Sequence, residues 1–389
     1  MTTSHTSAGR RASGSGLQVY DVTVETKSPV HIGTGVVIRP DEDFILAGRR
    51  MAVLDVDKVL DAVDERKLVD FEMSRAGTLA SMLPDRRNAQ EYARYVVPVP
   101  MGTNEPRNTQ VREAIKDPSG VPYLPGSSLK GAIRTALAVA LVKRKGSDWL
   151  RRELGRLRGN KPERASEPIM KELFGKAPLR ENGALGKASD AHVDVLRALR
   201  VSDLLPSGVD PADTLLEVAE VKVMRRGGDV TGIPIFVEAV KVGTVFRGTI
   251  TADVRLLSEP VMKETVGAWR DVTEADLTTG LVGHCATHSR ELIEKAKWLR
   301  PLQVMAAQRD DTTALMAVGW GTGWTAKTLG HVLKTNSGFQ NVGSRLLGRR
   351  GFVFDANTFP STYRMTIVEG RPHQPMGWLR MTITPRGER

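Results

Sequence analysis

One segment of the chain combines hydroxyl and cationic side chains at the spacing of an anion site. Gly126 precedes Ser127, Ser128, Lys130 and Arg134, and the two cations, four positions apart, lie on one face of a helix. A helix start normally favours acidic side chains, because its free N–H groups and dipole are positive. Cations at a helix start, beside hydroxyls and the unshielded backbone of a glycine, indicate a site for phosphate. The ordinary alternative is a helix capped by Ser127 or Ser128, with two solvated cations beside it.

The segment GWGTGWTAKT at residues 319–328 has the same character. Gly321 and Gly323 let a ligand approach the backbone, and Lys327 and Thr328 add a cation and a hydroxyl. Its glycine spacing also fits the G-x-G-x-x-A pattern of dinucleotide sites, but no acidic residue follows about 20 positions later. A Walker A loop would need Gly-Lys-Ser/Thr in succession. The segment therefore favours phosphate, and no cofactor is predicted.

His31 lies before a Gly-Thr-Gly turn, in which Gly33 and Gly35 interrupt regular structure. An imidazole at this place could act as a general acid or base on a phosphodiester. It could also hydrogen-bond the turn or stack on a base, and we favour these uses because no partner base is identifiable. His284 and His288 have the H-x-x-x-H spacing without the acidic residue of a zinc protease, so no metal site is predicted.

The chain as a whole is basic, with 56 Lys+Arg against 45 Asp+Glu and a net charge of +11 over 389 residues. Cations are concentrated at residues 143–164. A polyanion that touches both halves of the chain would account for this charge and for both anion sites, which favours a nucleic acid strand. Aromatic residues make up only 5% of the chain, so a broad base-stacking surface is not expected.

A single cysteine, Cys285, excludes an internal disulfide and a cysteine-ligated zinc or iron–sulfur site. The chain therefore suits a reducing cytoplasm. No apolar stretch approaches the ~20 residues that cross a bilayer, so no membrane span is predicted.

The elements around these residues indicate an α+β fold. Residues 17–26 alternate as a strand does, and apolar residues recur every four positions in the helix predicted after Pro125. Further helices are predicted over 52–82 and 325–333.

A β-hairpin is predicted in the second half of the chain, with strands near 217–224 and 235–240 and with Arg225 and Arg226 at its tip. A third strand is predicted over 244–254.

Composition divides the chain into three parts. Residues 1–16 are expected to be a flexible tail, 17–212 an N-terminal domain with a basic helical insertion at about 143–212, and 213–389 a C-terminal domain.

Four segments together resemble a known family: SPVHIGTG at 28–35, PYLPGSSLKGAIRTAL at 122–137, GWGTGWTAKTLG at 319–330, and FPSTYR at 359–364 followed by PMGWLRM at 375–381. With them the sequence resembles the RAMP proteins of type III CRISPR effector complexes. Within that family it is most similar to the subunit of type III-A (Csm) complexes that caps the filament at the 3′ end of the guide RNA.

The resemblance implies tandem ferredoxin-like, RNA-recognition-like domains, glycine loops near RNA, and no active site. The implied partners are the guide RNA, other RAMP subunits, trimming nucleases and, indirectly, target RNA, in cytoplasmic antiviral defence and guide RNA maturation. Arg364 is implied as an RNA contact by the tail motif, although Tyr363 stands where that motif more often has a basic residue.

The predicted RNA contacts come from all of these segments. They are His31, Gly33, Gly35, Gly126, Ser127, Ser128, Lys130, Arg134, Arg225, Arg226, Gly321, Gly323, Trp324, Lys327, Thr328 and Arg364.

Two enzymatic alternatives remain. One is a metal-independent endoribonuclease that processes CRISPR RNA with His31. The other, which the length and tail motif disfavour, is a RAMP subunit that cuts target RNA with a loop carboxylate such as Asp41 or Asp43.

Overall fold

The computed structural model describes residues 16–63, 77–157, 166–175, 194–208, 215–258, 271–308, 310–348 and 353–386. The strands are β1 Leu17–Thr26, β2 Gly33–Ile38, β3 Phe44–Leu46, β4 Arg50–Leu54, β5 Ala93–Pro98, β6 Val111–Ala114, β7 Leu199–Val201, β8 Leu205–Pro206, β9 Leu216–Arg225, β10 Val230–Val240, β11 Val245–Asp253, β12 Thr313–Ala317, β13 Thr362–Val368, β14 Arg371–Pro375 and β15 Trp378–Pro385. The α-helices are α1 Val56–Asp61, α2 Leu79–Met82, α3 Gly126–Lys145, α4 Ser147–Arg156, α5 Glu167–Phe174, α6 Arg255–Ser258, α7 Glu274–Leu277, α8 Leu281–Lys295, α9 Gln303–Ala307, α10 Gly330–Leu333 and α11 Gly338–Leu347.

The first sheet has the order β12-β15-β1-β11-β7, with β8 also paired to β11. Its central strand β1 is antiparallel to both neighbours. Val22, Val24 and Thr26 are buried on one face of β1 while the residues between them are partly exposed, so the predicted strand and its bounds are confirmed.

The second sheet has the order β14-β13-β9-β10-β6-β2. The predicted hairpin is confirmed as β9 and β10, with Arg226 in the turn between them. Strands from both sides of residue 212 share each of the two larger sheets. The boundary predicted at that residue therefore does not separate the strands into two sets.

A third, small sheet of β3, β4 and β5 packs with α1 and α2 around its own core. The helix predicted over 52–82 is wrong at its start, because residues 50–54 form the middle strand β4. Met51 to Leu54 are all buried. A strand that is covered on both faces has a continuous run of apolar residues, which the sequence pattern alone does not distinguish from a buried helix. Within 52–82, residues 64–76 lie outside the described part of the chain.

The helix predicted after Pro125 is confirmed as α3, but its cap is not a serine. Pro125 is the N-cap residue, so Ser127 and Ser128 lie within the first turn. The Asp203 carboxylate, from the loop between β7 and β8, accepts the N–H of Gly126 at 2.7 Å. A carboxylate of the protein itself therefore already occupies this helix start.

The helix predicted over 325–333 is divided into a 3₁₀ turn at Thr325–Lys327 and the short α10. Thr328 causes the break, because its hydroxyl donates to the Trp324 carbonyl and accepts the N–H of Gly330.

Predominantly antiparallel sheets with segregated helices make this an α+β fold, as predicted. The insertion predicted at about 143–212 is helical in α4 and α5. Its described residues 194–208 instead contain β7 and β8, which pair with β11 in the first sheet. No described helix has the length and apolar character that crossing a bilayer requires.

Candidate nucleic-acid interface

The two glycine segments that are furthest apart in sequence meet in the structure. The N–H of Trp320 donates to the carbonyl of His31 at 2.8 Å. Gly319 has φ of 82°, and a Cβ there would lie 2.4 Å from the same carbonyl oxygen. Only glycine permits both this backbone conformation and this approach. The loops that contain His31 and Trp320 therefore form one continuous surface.

The tail motif joins the same surface. Gly377 donates its N–H to the Pro29 carbonyl, and its own carbonyl accepts the N–H of Val318, both at 2.8 Å. A Cβ on Gly377 would lie 2.4 Å from the carbonyl oxygen of Val318. Three of the segments that carry the family resemblance are thus linked by backbone hydrogen bonds.

Trp320 stands on one face of the second sheet between two arginines. It packs against an apolar cluster whose members are Ala219, Val221, Val237, Ala239 and Met376. The centroid of its ring lies 5.0 Å from the guanidinium carbon of Arg112 and 4.9 Å from that of Arg364. Strand register explains the arrangement, because Arg112 pairs with Val237 and Arg364 pairs with Val223 on the face that carries Val221. We call Arg112, Trp320 and Arg364, with the glycine loops 31–35 and 319–323, the arginine–tryptophan surface.

Among the described residues, the cations on this surface and the neighbouring Lys327 have no acidic partner. Within the described residues no carboxylate lies within ion-pair distance of Arg112, Arg364 or Lys327, and the Nε of Arg364 is buried without a hydrogen-bond partner. Burial, and then the like charge of Arg112, lower the pKa of Arg364. Partial desolvation, and then Arg364, lower the pKa of Lys327, although this residue is exposed as a whole. Such uncompensated charge favours an anionic ligand.

The basic face continues along β13 to the hairpin tip. Arg225 pairs with Thr362, two residues before Arg364 on the same strand, so both arginines lie on one face of the sheet. Arg226 is exposed at the turn, where it donates to the Asn357 carbonyl at 3.2 Å. Both predicted hairpin contacts therefore lie beside the arginine–tryptophan surface.

His31 is buried beneath that surface. Its Nδ1 lies 2.7 Å from the carbonyl oxygen of Glu238, an acceptor, so Nδ1 carries the proton. Burial lowers the pKa of His31 to about 4, and the ring is therefore neutral at neutral pH. The ring meets Trp320 edge-on at 6.0 Å. This geometry fixes the position of the loop and offers no charged imidazole for proton donation.

Gly33 and Gly35 lie at the exposed start of β2. A Cβ on Gly33 would approach the Nε2 of His31 to 2.8 Å, whereas the space around Gly35, with φ of 93°, is open. Both glycines are accessible to a ligand at the edge of the surface.

The residues predicted at the start of α3 are not part of the arginine–tryptophan surface. Gly126 is buried, and a Cβ there would lie 2.4 Å from the Val201 carbonyl oxygen. Arg134 pairs with Asp194 at 2.6 Å and covers the ring of Phe174. Lys130 is half-exposed, and its pKa is lowered by burial. Much of this group is therefore engaged within the protein.

The basic run at 143–164 is largely paired with acidic residues. Its described ion pairs are Lys143 with Glu291, Arg144 with Asp276, Lys145 with Asp271, Arg151 with Asp148 and Arg156 with Glu153. Residues 158–164 lie outside the described part. The first three pairs join α3 to α8, to α7 and to the segment before α7, and the last two lie within α4. The charge of this run is therefore a weaker indication of a polyanion than the sequence suggests.

Trp324 and Thr328 make contacts within the protein. The Trp324 ring packs against Phe339 and Phe359, at centroid distances of 6.0 and 4.7 Å. A Cβ on Gly330 would meet that ring at 2.4 Å.

Trp320 and Arg112 are not among the residues predicted from the sequence. The position of Trp320 between two glycines is a signal for the first, whereas the exposure of Arg112 is visible only in the structure. Among the described residues no group of three His, Cys, Asp or Glu side chains is arranged to hold a metal ion.

Comparison with known proteins identifies the class. A family model described as the RAMP superfamily matches residues 23–259, more than half of the chain. The chain therefore belongs to the RAMP superfamily, as the motifs predicted.

The curated relatives it matches are named "CRISPR system Cms protein Csm5". That of Mycobacterium tuberculosis strain H37Rv is 24% identical over 282 residues, covering 66% of this chain and 70% of the relative. That of Streptococcus thermophilus is 29% identical over 210 residues, covering 49% of this chain and 52% of the relative. That of Methanocaldococcus jannaschii is 22% identical, covering 93% of this chain and 88% of the relative.

Solved structures share the fold. A chain in a cryo-EM structure of a Csm–crRNA–target RNA ternary complex of a type III-A CRISPR-Cas system matches with a TM-score of 0.66 at 24% identity, covering 94% of this chain and 100% of that one. The crystal structure of Csm5 from T. onnurineus matches with a TM-score of 0.61 at 22% identity, covering 92% and 99%.

Proposed function

We propose that this chain is a non-catalytic RNA-binding subunit of a type III-A CRISPR ribonucleoprotein. In this role it caps the filament at the 3′ end of the guide RNA and supports guide RNA maturation and antiviral interference in the cytoplasm. The observation that carries the proposal is the arginine–tryptophan surface, where Arg112 and Arg364 flank an aromatic ring without any acidic partner in the described chain.

The partners in this proposal are the guide RNA and neighbouring RAMP subunits, with trimming nucleases recruited nearby and target RNA contacted indirectly. The names of the relatives and the complex that contains the matching solved chain support these partners. Tandem ferredoxin-like domains remain part of the proposal, as do the predicted contacts at the start of α3.

The binding experiment measures the affinity of the full chain for single-stranded RNA over a range of salt concentrations. Each lost phosphate contact should reduce the slope of log K against log salt by about 0.7. Replacing Arg112 and Arg364 together by Ala should therefore weaken binding and lower the slope by roughly 1.4. Arg151→Ala is the matched control, because Arg151 is exposed and paired with Asp148. Equal slopes for the wild type and the double variant would contradict the proposal.

The geometry of His31 supports a role without catalysis. Its ring is buried, neutral and bonded to the protein backbone. A cleavage assay on CRISPR repeat RNA in the presence of a chelator distinguishes the alternatives. Intact RNA is expected, whereas specific cleavage that His31→Ala abolishes would establish the endoribonuclease instead.

A further inference from the structure

A cavity of about 250 Å³ lies beside the arginine–tryptophan surface, between α3, α4, α5, α11 and the segment 324–333. Most of its wall is apolar and includes the rings of Trp324 and Phe339. An apolar cavity of about 150 Å³ is enough to bind benzene. A cavity of this size therefore accepts a planar aromatic ring somewhat larger than benzene. We call it the Trp324 cavity.

We infer that the Trp324 cavity holds one unstacked nucleobase of the RNA that crosses the arginine–tryptophan surface. The inference rests on the proposed function, because the same strand must occupy both sites. A base needs apolar contact on its faces and hydrogen-bond partners at its edge. Both are present in this cavity.

Two hydroxyls supply the polar edge. Thr135 lines the wall and donates to the Gly131 carbonyl at 3.1 Å, which leaves its oxygen lone pairs able to accept an N–H from a base. Ser166 lines the opening, is exposed, and makes no capping bond to the helix that follows it. A base edge could therefore bond to both hydroxyls while the bond from Thr135 to Gly131 is kept and no capping bond of α5 is lost.

Lys327 connects the cavity to the RNA surface. It lines the cavity and is exposed, and no carboxylate in the described chain pairs with it. Arg364 is the charged group that most affects its pKa, which places the two cations in one electrostatic neighbourhood. A sugar-phosphate backbone that passes from Arg364 to Lys327 can turn one base into the cavity while both phosphates remain bound.

An apolar side chain of a partner protein is the competing occupant. Charge favours RNA, because such a side chain would leave the ammonium of Lys327 beside a buried interface without an anion. Continuity with the arginine–tryptophan surface favours RNA as well.

The test is photocrosslinking of the full chain to single-stranded RNA that contains 5-iodouridine, with the crosslinked residues mapped by mass spectrometry. Crosslinks are expected at Trp324 or Phe339 in addition to Trp320. Leu346→Trp, which fills the cavity from α11, should remove the first set and retain the second. Asn341→Trp, an exposed position on the same helix, should retain both.

Affinity gives a second readout. Stacking on aromatic side chains contributes about 1–3 kcal/mol per base, so Leu346→Trp should weaken RNA binding by roughly 5- to 150-fold. Met170→Trp fills the same cavity from α5 and replaces Leu346→Trp if that variant does not fold.

The outcomes separate the two proposals. Crosslinks at Trp320 but not in the cavity, or cavity crosslinks that both filling variants leave intact, would overturn this inference and leave the proposed function standing. A structure of the assembled complex in which a partner protein's side chain occupies the cavity would also overturn it. Failure of the chain to bind or crosslink RNA at all would remove the proposed function itself.

Discussion

Trp320 holds two like charges close together without neutralising either. A cation above an aromatic face gains about 0.5–1 kcal/mol at an exposed site. This gain orders the guanidiniums of Arg112 and Arg364 while their N–H groups keep their capacity to donate. An ordered pair loses less entropy when it binds phosphate, so the ring acts on affinity through the arginines as well as through any base it contacts.

Replacing Trp320 by Leu should therefore weaken RNA binding by roughly 5- to 30-fold, which corresponds to the loss of two cation–π contacts. Trp320→Phe should retain most of the affinity. Trp298→Leu serves as the control, because Trp298 stacks on Tyr363, whose side chain lies on the face of β13 opposite to that of Arg364. Fluorescence anisotropy with a labelled single-stranded RNA measures all three. Equal affinities for the two leucine variants would argue against the role of Trp320.

His31 should make stability depend on pH. Its pKa is about 4 in the folded chain, below its ordinary value near 6.5, so the unfolded chain binds more protons between these values. The stabilising contribution is complete above about pH 6.5 and is lost as the pH falls towards 4. His31→Asn should flatten the dependence of the unfolding free energy on pH in this window, and exposed His373→Asn should not. Identical pH profiles for both variants would show that His31 is not buried as described.

At the level of elements, the sequence predicts best where the signal is local. The alternation of residues 17–26 and the fourfold spacing after Pro125 defined β1 and α3, and glycines between polar residues defined the β9–β10 hairpin. The failures have non-local causes. Strand β4 is covered on both faces, and the start of α3 receives its carboxylate from Asp203, 77 residues further along the chain.

The candidate surface was predictable in its glycines and only partly in its side chains. Motifs in the sequence indicate Gly321, Gly323 and Arg364. No motif indicates Arg112, because only the register of β6 beside β10 brings it to Trp320. No spacing along one strand reveals which distant strand will become its neighbour.

The approach of the two glycine loops gives a prediction for backbone variants. Gly319→Ala should destabilise the chain by at least about 1–2 kcal/mol, because alanine is strained at positive φ and its Cβ would collide with the His31 carbonyl. Gly131→Ala is the matched control: it lies in α3 with open space around its Cβ and should stabilise the chain by up to ~1 kcal/mol. Chemical denaturation measures both. A neutral Gly319→Ala variant would contradict the loop contact.

In the molecule as a whole, strands from the two halves of the chain alternate within the same sheets. Strand β1 lies between β11 and β15, so the first sheet forms only when strands from both halves are present. The second sheet likewise combines β2 and β6 with β9, β10 and β13. The arginine–tryptophan surface consequently exists only when both halves of the chain are present.

Dividing the chain after residue 212 should therefore abolish independent folding of the first half. The separate half lacks both strands that pair with β1, and its unpaired edges and apolar face would be exposed. Circular dichroism is expected to show no cooperative thermal transition for residues 1–212 alone, and co-expression with residues 213–389 should restore one. A cooperative transition in the isolated half would mean that the sheets do not depend on each other.

The most direct test of the central claim is a cryo-EM structure of this chain assembled with RAMP partners and a guide RNA. We expect backbone phosphates near the 3′ end of the guide within hydrogen-bonding distance of Arg112 and Arg364, with the glycine loops facing the strand. A structure in which this face is covered by protein, or is solvated while the guide RNA ends elsewhere, would contradict it.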